Sequence, residues 1–118
     1  MSQTSIEELS PGQVAQLLEQ NQILLVDVRE PDEFAVERIA GALLYPLSSF
    51  DAAKLPPDSQ RRLVFHCGSG KRSASAASAR LIVGAPQAAH MTGGIMAWKA
   101  AGLPVVGIDP ATGKLATK

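Results

Sequence analysis

The feature that most limits how this chain can fold is a short, nearly unbroken aliphatic run, Ile23-Leu24-Leu25-Val26-Asp27-Val28, followed by a helical pattern. Such a run lacks the alternation of a half-solvated strand and suits one buried on both faces, as in a parallel sheet between helices. The theme returns at Arg62 to His66 and, more briefly, at Ala88 to Met91. Ala42 to Tyr45, stopped by Pro46, is a further strand candidate, and an edge strand fits near Thr4 to Glu7.

Helical signals fill the intervals. Ser10-Pro11 with Gln13 reads as a capping box with proline in the first turn, and Val14, Leu17 and Leu18 then share one face. Glu30-Pro31-Asp32-Glu33 places proline and acids where a helix would begin. Ser48 to Ala53 reads as a short helix and Leu55 to Asp58 as a loop. Arg72 to Val83 is Ala-rich without glycine or proline, and Ile95 to Ala101 is closed by Gly102 and Pro104. Strands alternating with helices predict an α/β fold, with a central parallel sheet of four to five strands and helices on both faces. The 118 residues fit one domain, read here as 1–106, with 107–118 as a loose C-terminal tail rich in turn signals.

Composition narrows the function. Eleven Lys and Arg balance eleven Asp and Glu, so no global field favours nucleic acid or an anionic membrane. The lone cysteine, Cys67, excludes an internal disulfide and a multi-cysteine zinc site. The N-terminus lacks the basic start and apolar run of a signal peptide, and no apolar stretch approaches the roughly 20 residues of a membrane span. The expectation is a cytoplasmic protein with no membrane and no nucleic-acid partner.

In a parallel α/β sheet, chemistry gathers in the crevice at the carboxyl ends of the strands. Two unusual segments lie at such ends: Asp27-Val28-Arg29-Glu30 and Cys67 to Ser73. A lone cysteine is most often a small buried hydrophobe. Cys67, however, ends its apolar run and is followed by Gly68-Ser69-Gly70 and then Lys71-Arg72. The glycines let successive amides turn into one concavity, and the helix start and two cations favour a thiolate. Cys67 is therefore the candidate nucleophile. Gly68 to Ser73 imitates a dinucleotide fingerprint, but it ends in serine and lacks the acid about 20 residues on. It also fails as a phosphate-binding loop of the Gly-Lys-Ser/Thr type, since Arg72 stands at the hydroxyl position. The spacing is Cys-x4-Arg, one residue shorter than the Cys-x5-Arg phosphate cradle of tyrosine phosphatases.

Three segments, LLVDVREPDEF (Leu24 to Phe34), FHCGSGKRSA (Phe65 to Ala74) and TGGIMAWKAAGLPV (Thr92 to Val105), occur in an order that resembles the single-domain rhodanese-like sulfurtransferases. The resemblance implies a rhodanese-like domain that carries a sulfane sulfur as a persulfide on Cys67. The sulfur would come from a small anionic donor such as thiosulfate and pass to cyanide or a thiol. It further implies that the amides of Gly68, Ser69, Gly70, Lys71 and Arg72 hold the outer sulfur, with Lys71 and Arg72 binding the donor. No cofactor and no metal is expected, because a covalent intermediate divides the transfer into two displacements. The chain reads Glu37-Arg38-Ile39-Ala40-Gly41-Ala42 where many members read Gly-His-Ile-Pro-Gly-Ala. The alternatives are a module that receives sulfur from a partner protein in a sulfur relay, or a phosphatase or arsenate reductase on the same fold.

Other residues read as support. Asp27 and Arg29 are expected to pair with Arg72, Lys71 or backbone amides and so shape the loop. Alternation along the strand sends His66 to the face opposite Cys67. His90 sits in an apolar strand and reads as structural, and His66, Cys67 and His90 lack metal-ligand spacing. Ile95 and Trp98 read as core, and Gly93-Gly94 as a point of close backbone approach.

Overall fold

A computed structural model describes residues 6–58 and 61–118. Strand β1 (Ile6–Leu9) leads into helix α1 (Pro11–Glu19). Ser10 Oγ accepts from the Gln13 amide and the Gln13 side chain accepts from the Ser10 amide, closing the capping box that the sequence predicts. Asn21, in the left-handed region at φ 57°, turns the chain into β2 (Ile23–Asp27). Helix α2 (Pro31–Val36) follows, then the two-residue strands β3 (Glu37–Arg38) and β4 (Leu43–Leu44). Two single 3-10 turns, Leu47–Ser49 and Ala52–Lys54, replace the short helix expected over Ser48 to Ala53. After them come β5 (Arg62–His66), α3 (Lys71–Ile82), β6 (Ala88–Met91) and α4 (Gly94–Ala100). Strands β7 (Val106–Ile108) and β8 (Leu115–Thr117) complete the described chain. The expected edge strand is found from Ile6 on; its Thr4–Ser5 portion lies outside the described residues.

The main sheet has five strands in the order β1-β6-β5-β2-β4, all neighbours parallel. Period-two alternation divides its side chains between two cores. Leu25, Val64 and Met91 join Val14 of α1 and Ile95 and Trp98 of α4 on one face. Val26, Phe65 and Ala88 join Ala76 and Ala77 of α3 on the other. Both faces are thus covered, which is why β2 and β5 read as continuous aliphatic runs.

The expectation of a loose tail over 107–118 is corrected. Strands β7 and β8 form an antiparallel hairpin, and β7 pairs antiparallel with β3 through Glu37↔Gly107 and Arg38↔Val106. The turn signals of Asp109-Pro110 and Thr112-Gly113 belong to the hairpin's loop, where Gly113 adopts φ 70°.

The register puts the two segments of interest together. Asp27 lies opposite His66 at the carboxyl ends of β2 and β5, so Arg29 and Cys67 leave the sheet as neighbours.

Candidate active site

The chain passes from β5 into α3 in only four residues, Cys67 to Gly70, and Gly70 makes the turn at φ 108°. A side chain there would be strained, and its Cβ would stand 3.1 Å from the Gly93 amide nitrogen. The turn aims amides at the sulfur: Cys67 Sγ accepts from Gly70 N at 3.1 Å and from Ser73 N at 3.3 Å. Ser73 is in the first turn of α3, so its amide is one of the free donors at a helix start.

The carbonyls of the same loop face the other way. Cys67 O accepts from the Ile95 amide at 2.8 Å, and Gly68 O accepts from the Met96 amide at 3.2 Å. In a trans peptide the N–H opposes the C=O, so anchoring these two oxygens on α4 turns the Gly68 and Ser69 amides away from α4. Gly94 is the residue that permits the contact, for a Cβ on it would lie 2.4 Å from both oxygens. Gly93-Gly94 does mark the close backbone approach that the sequence predicts.

Burial is the largest single influence on the Cys67 thiol and pushes its pKa up. The Ser73 amide and hydroxyl and the Gly70 and Ser69 amides together outweigh it and hold the thiol below its ordinary value. The sulfur thus faces amides, as an anion needs. Cys67 has no exposed surface.

Sequence reasoning missed Ser73. Its hydroxyl lies 3.6 Å from Cys67 Sγ, 3.2 Å from Gly70 O and 2.9 Å from His90 Nδ1. Its signal was a hydroxyl residue one step past Arg72, since side chains in a first helical turn point back toward the N-terminus.

Arg72 folds beside the loop, where a Cβ on Gly68 would meet its Nη2 at 3.2 Å. Its guanidinium donates to both Glu33 oxygens, at 2.7 and 3.0 Å. Those bonds, foremost among the causes, lower the Glu33 pKa to about 2. Lys71 is exposed at the start of α3.

Asp27 and Arg29 are buried. Of the expected partners Asp27 takes a backbone amide, that of Arg29 at 2.9 Å, while the expected pairing with Arg72 or Lys71 is corrected, since the two side chains pair with each other. Arg29 Nε donates to both Asp27 oxygens at 3.0 and 3.1 Å, and Nη2 to Oδ2 at 2.8 Å and to Glu37 O at 2.7 Å. Their nearness in sequence lets the Arg29 side chain fold back on the carboxylate. His66 joins them, with Nε2 3.4 Å from Asp27 Oδ2, on the α1–α4 face. Alternation had placed His66 there, away from the sulfur. Burial lowers the His66 pKa, against the opposing pull of the Asp27 charge.

The rhodanese-like domain family matches residues 10–101. The chain is 39% identical over 105 residues to the uncharacterized protein slr1261 of Synechocystis sp., covering 89% of this chain and 58% of that protein. It thus spans little more than half of that relative's length. It is 35% identical over 104 residues to a sulfurtransferase of Allochromatium vinosum, covering 86% of this chain and 95% of that one. A rhodanese-related protein from Thermoplasma volcanium has a similar structure, with a TM-score of 0.73 at 26% identity over 85% of this chain and 97% of that one.

Proposed function

Because the chain belongs to the rhodanese-like domain family, we propose that it is a sulfurtransferase whose nucleophile is Cys67. The observation that carries the proposal is the pair of amides, Gly70 and Ser73, donating to the sulfur from the start of α3. Pre-oriented donors in a dry site stabilise an anion without reorganising, and an outer sulfur bound to Cys67 is such an anion.

In the first displacement the Cys67 thiolate attacks the sulfane sulfur of a donor such as thiosulfate. A Cys–S–S bond forms, the donor's S–S bond breaks, and sulfite leaves with the electron pair. In the second, cyanide or a thiolate attacks the outer sulfur, and Cys67 departs as the thiolate. Charge and electrons balance at each step, with no outside oxidant. Gly68, Ser69, Gly70, Lys71 and Arg72 supply the surrounding amides, while the side chains of Lys71 and Arg72 hold the donor's negative charge at the mouth. The acceptor class includes a partner protein's thiol in a sulfur relay.

Phosphoryl chemistry is less favoured. Its cradle is built on Cys-x5-Arg, whereas Cys67 and Arg72 stand one residue closer, which makes a smaller ring of amides.

The test is intact-protein mass after incubation with thiosulfate. A gain of one sulfur atom is expected, absent in Cys67→Ser and removed by cyanide with formation of thiocyanate. Unchanged mass with thiosulfate, mercaptopyruvate and a persulfide donor alike would overturn the assignment.

A further inference from the structure

His90 is buried in β6, on the face of the sheet that carries α3, and nothing in the two displacements above uses it. Its Nδ1 is 2.9 Å from Ser73 Oγ, and Ser73 is itself fully buried between His90 and Cys67. Its Nε2 points outward, 3.9 Å from Glu8 Oε2 of β1. Among the described residues, Glu8 is the one charged group that acts on the His90 titration; across from His90 on β5 stands the uncharged Phe65. A line of contacts therefore runs from His90 through Ser73 to the sulfur, with the Glu8 carboxylate beyond hydrogen-bonding distance of the ring.

Counting protons along that line gives it a direction. The Ser73 hydroxyl holds one proton and has three neighbours, Cys67 Sγ, Gly70 O and His90 Nδ1. While Cys67 is a thiol, its S–H donates to Ser73 Oγ and the hydroxyl proton goes to Gly70 O or His90 Nδ1. Once the sulfur is an anion it has no proton to give, and the hydroxyl gains most by turning to it in a charge-assisted bond. The serine oxygen then needs a donor. Gly70 O only accepts, so that donor is His90, with its proton on Nδ1.

We propose that His90 is a positioning residue for Cys67: through an Nδ1–H donated to Ser73, it directs the serine hydroxyl proton at the anionic sulfur. The thiolate half of this proposal stands on geometry alone; its extension to the persulfide rests on the sulfurtransferase reading. Burial lowers the His90 pKa, in keeping with a neutral ring whose tautomer is chosen by Ser73.

Cys67 is the chain's one cysteine, so thiolate ultraviolet absorbance against pH titrates it without a donor or an assay of transfer. His90→Phe and Ser73→Ala are each expected to raise the midpoint and to slow iodoacetamide alkylation at neutral pH by about tenfold. The double variant is expected to match Ser73→Ala, because His90 acts through Ser73. His90→Asn, whose side-chain N–H sits near the place of Nδ1, is expected to recover part of the shift. An unmoved midpoint in His90→Phe, a further shift in the double variant, or no rescue by Asn would overturn the proposal. Should His90→Phe fail to fold, nitrogen-15 spectra of the wild-type imidazole decide: Nδ1–H with the thiolate supports it, and Nε2–H overturns it. Loss of the sulfurtransferase reading would show instead as an unchanged mass with donors, while the absorbance midpoints still reported on His90.

Discussion

The Ile95 amide donates to the carbonyl oxygen of Cys67 at 2.8 Å, from a helix packed on the opposite face of the sheet from α3. Helix α4 never touches the sulfur, yet it fixes which way the first peptide of the loop faces. The cradle around Cys67 is therefore set from outside as much as by its own glycines.

Gly94→Ala tests that dependence. The added methyl would fall 2.4 Å from the oxygens of Cys67 and Gly68, at a residue with φ 61°. The left-handed backbone alone costs about 1–3 kcal/mol, and the clash adds to it. Urea denaturation is expected to show the lost stability, and thiolate absorbance an upward-shifted Cys67 midpoint. A variant with an unchanged midpoint would detach α4 from the chemistry.

The Glu33–Arg72 pair carries a signed pH dependence. The folded pKa of Glu33 lies at about 2, below its ordinary 4.5. Its contribution to stability is therefore complete above the ordinary value and fades as pH falls toward about 2. Both side chains are more than a third exposed, which limits that contribution to less than about 1 kcal/mol. Glu33→Gln should accordingly unfold slightly more readily than wild type at neutral pH, with the gap closing near pH 2. A gap that widens in acid would contradict the pairing.

Asp27→Asn is expected to behave differently, because it leaves the Arg29 cation buried without its partner. Breaking such a pair from one side costs about 3–5 kcal/mol, measurable by denaturant unfolding. Its effect on the Cys67 midpoint should be small, since the Asp27 carboxylate bonds to Arg29 and faces His66 rather than the sulfur. A variant that keeps its stability but loses thiolate formation would reverse these roles.

His66 and His90 predict acid sensitivity of the same sign, in a higher pH window. Both are held below their ordinary 6.5 in the folded chain, burial being the first cause in each. The unfolded chain then binds more protons just below that value, so stability falls as pH drops through it. Denaturation midpoints followed from neutral pH downward should show this slope, and His66→Gln should flatten part of it. An unaltered slope in that variant would mean that His66 is already charged in the folded state.

Much of this was readable in advance, and the reasons are local. Ile23 to Asp27 and Arg62 to His66 declare buried strands by composition, Ser10 and Gln13 declare a helix start, and Gly68 and Gly70 after a strand declare a tight loop under Cys67. The unread parts depend on which distant residues meet. Nothing near Arg72 names Glu33 as its partner, and the Asp27 carboxylate had several cations to choose from. Ser73 and His90 touch only because α3 lies across β6. The pairing of Val106–Ile108 with Glu37–Arg38 hid for the same cause, since short strands take their form from neighbours more than from propensity.

The strand order bears on how a nascent chain reaches this state. Strand β1 is the first of the sheet to leave a ribosome, and its neighbour β6 is the last, so Ile6 to Leu9 must wait unpaired while most of the polypeptide is made. Such late closure slows acquisition of the native topology and leaves an early edge open to a chaperone or to a stray strand in the meantime.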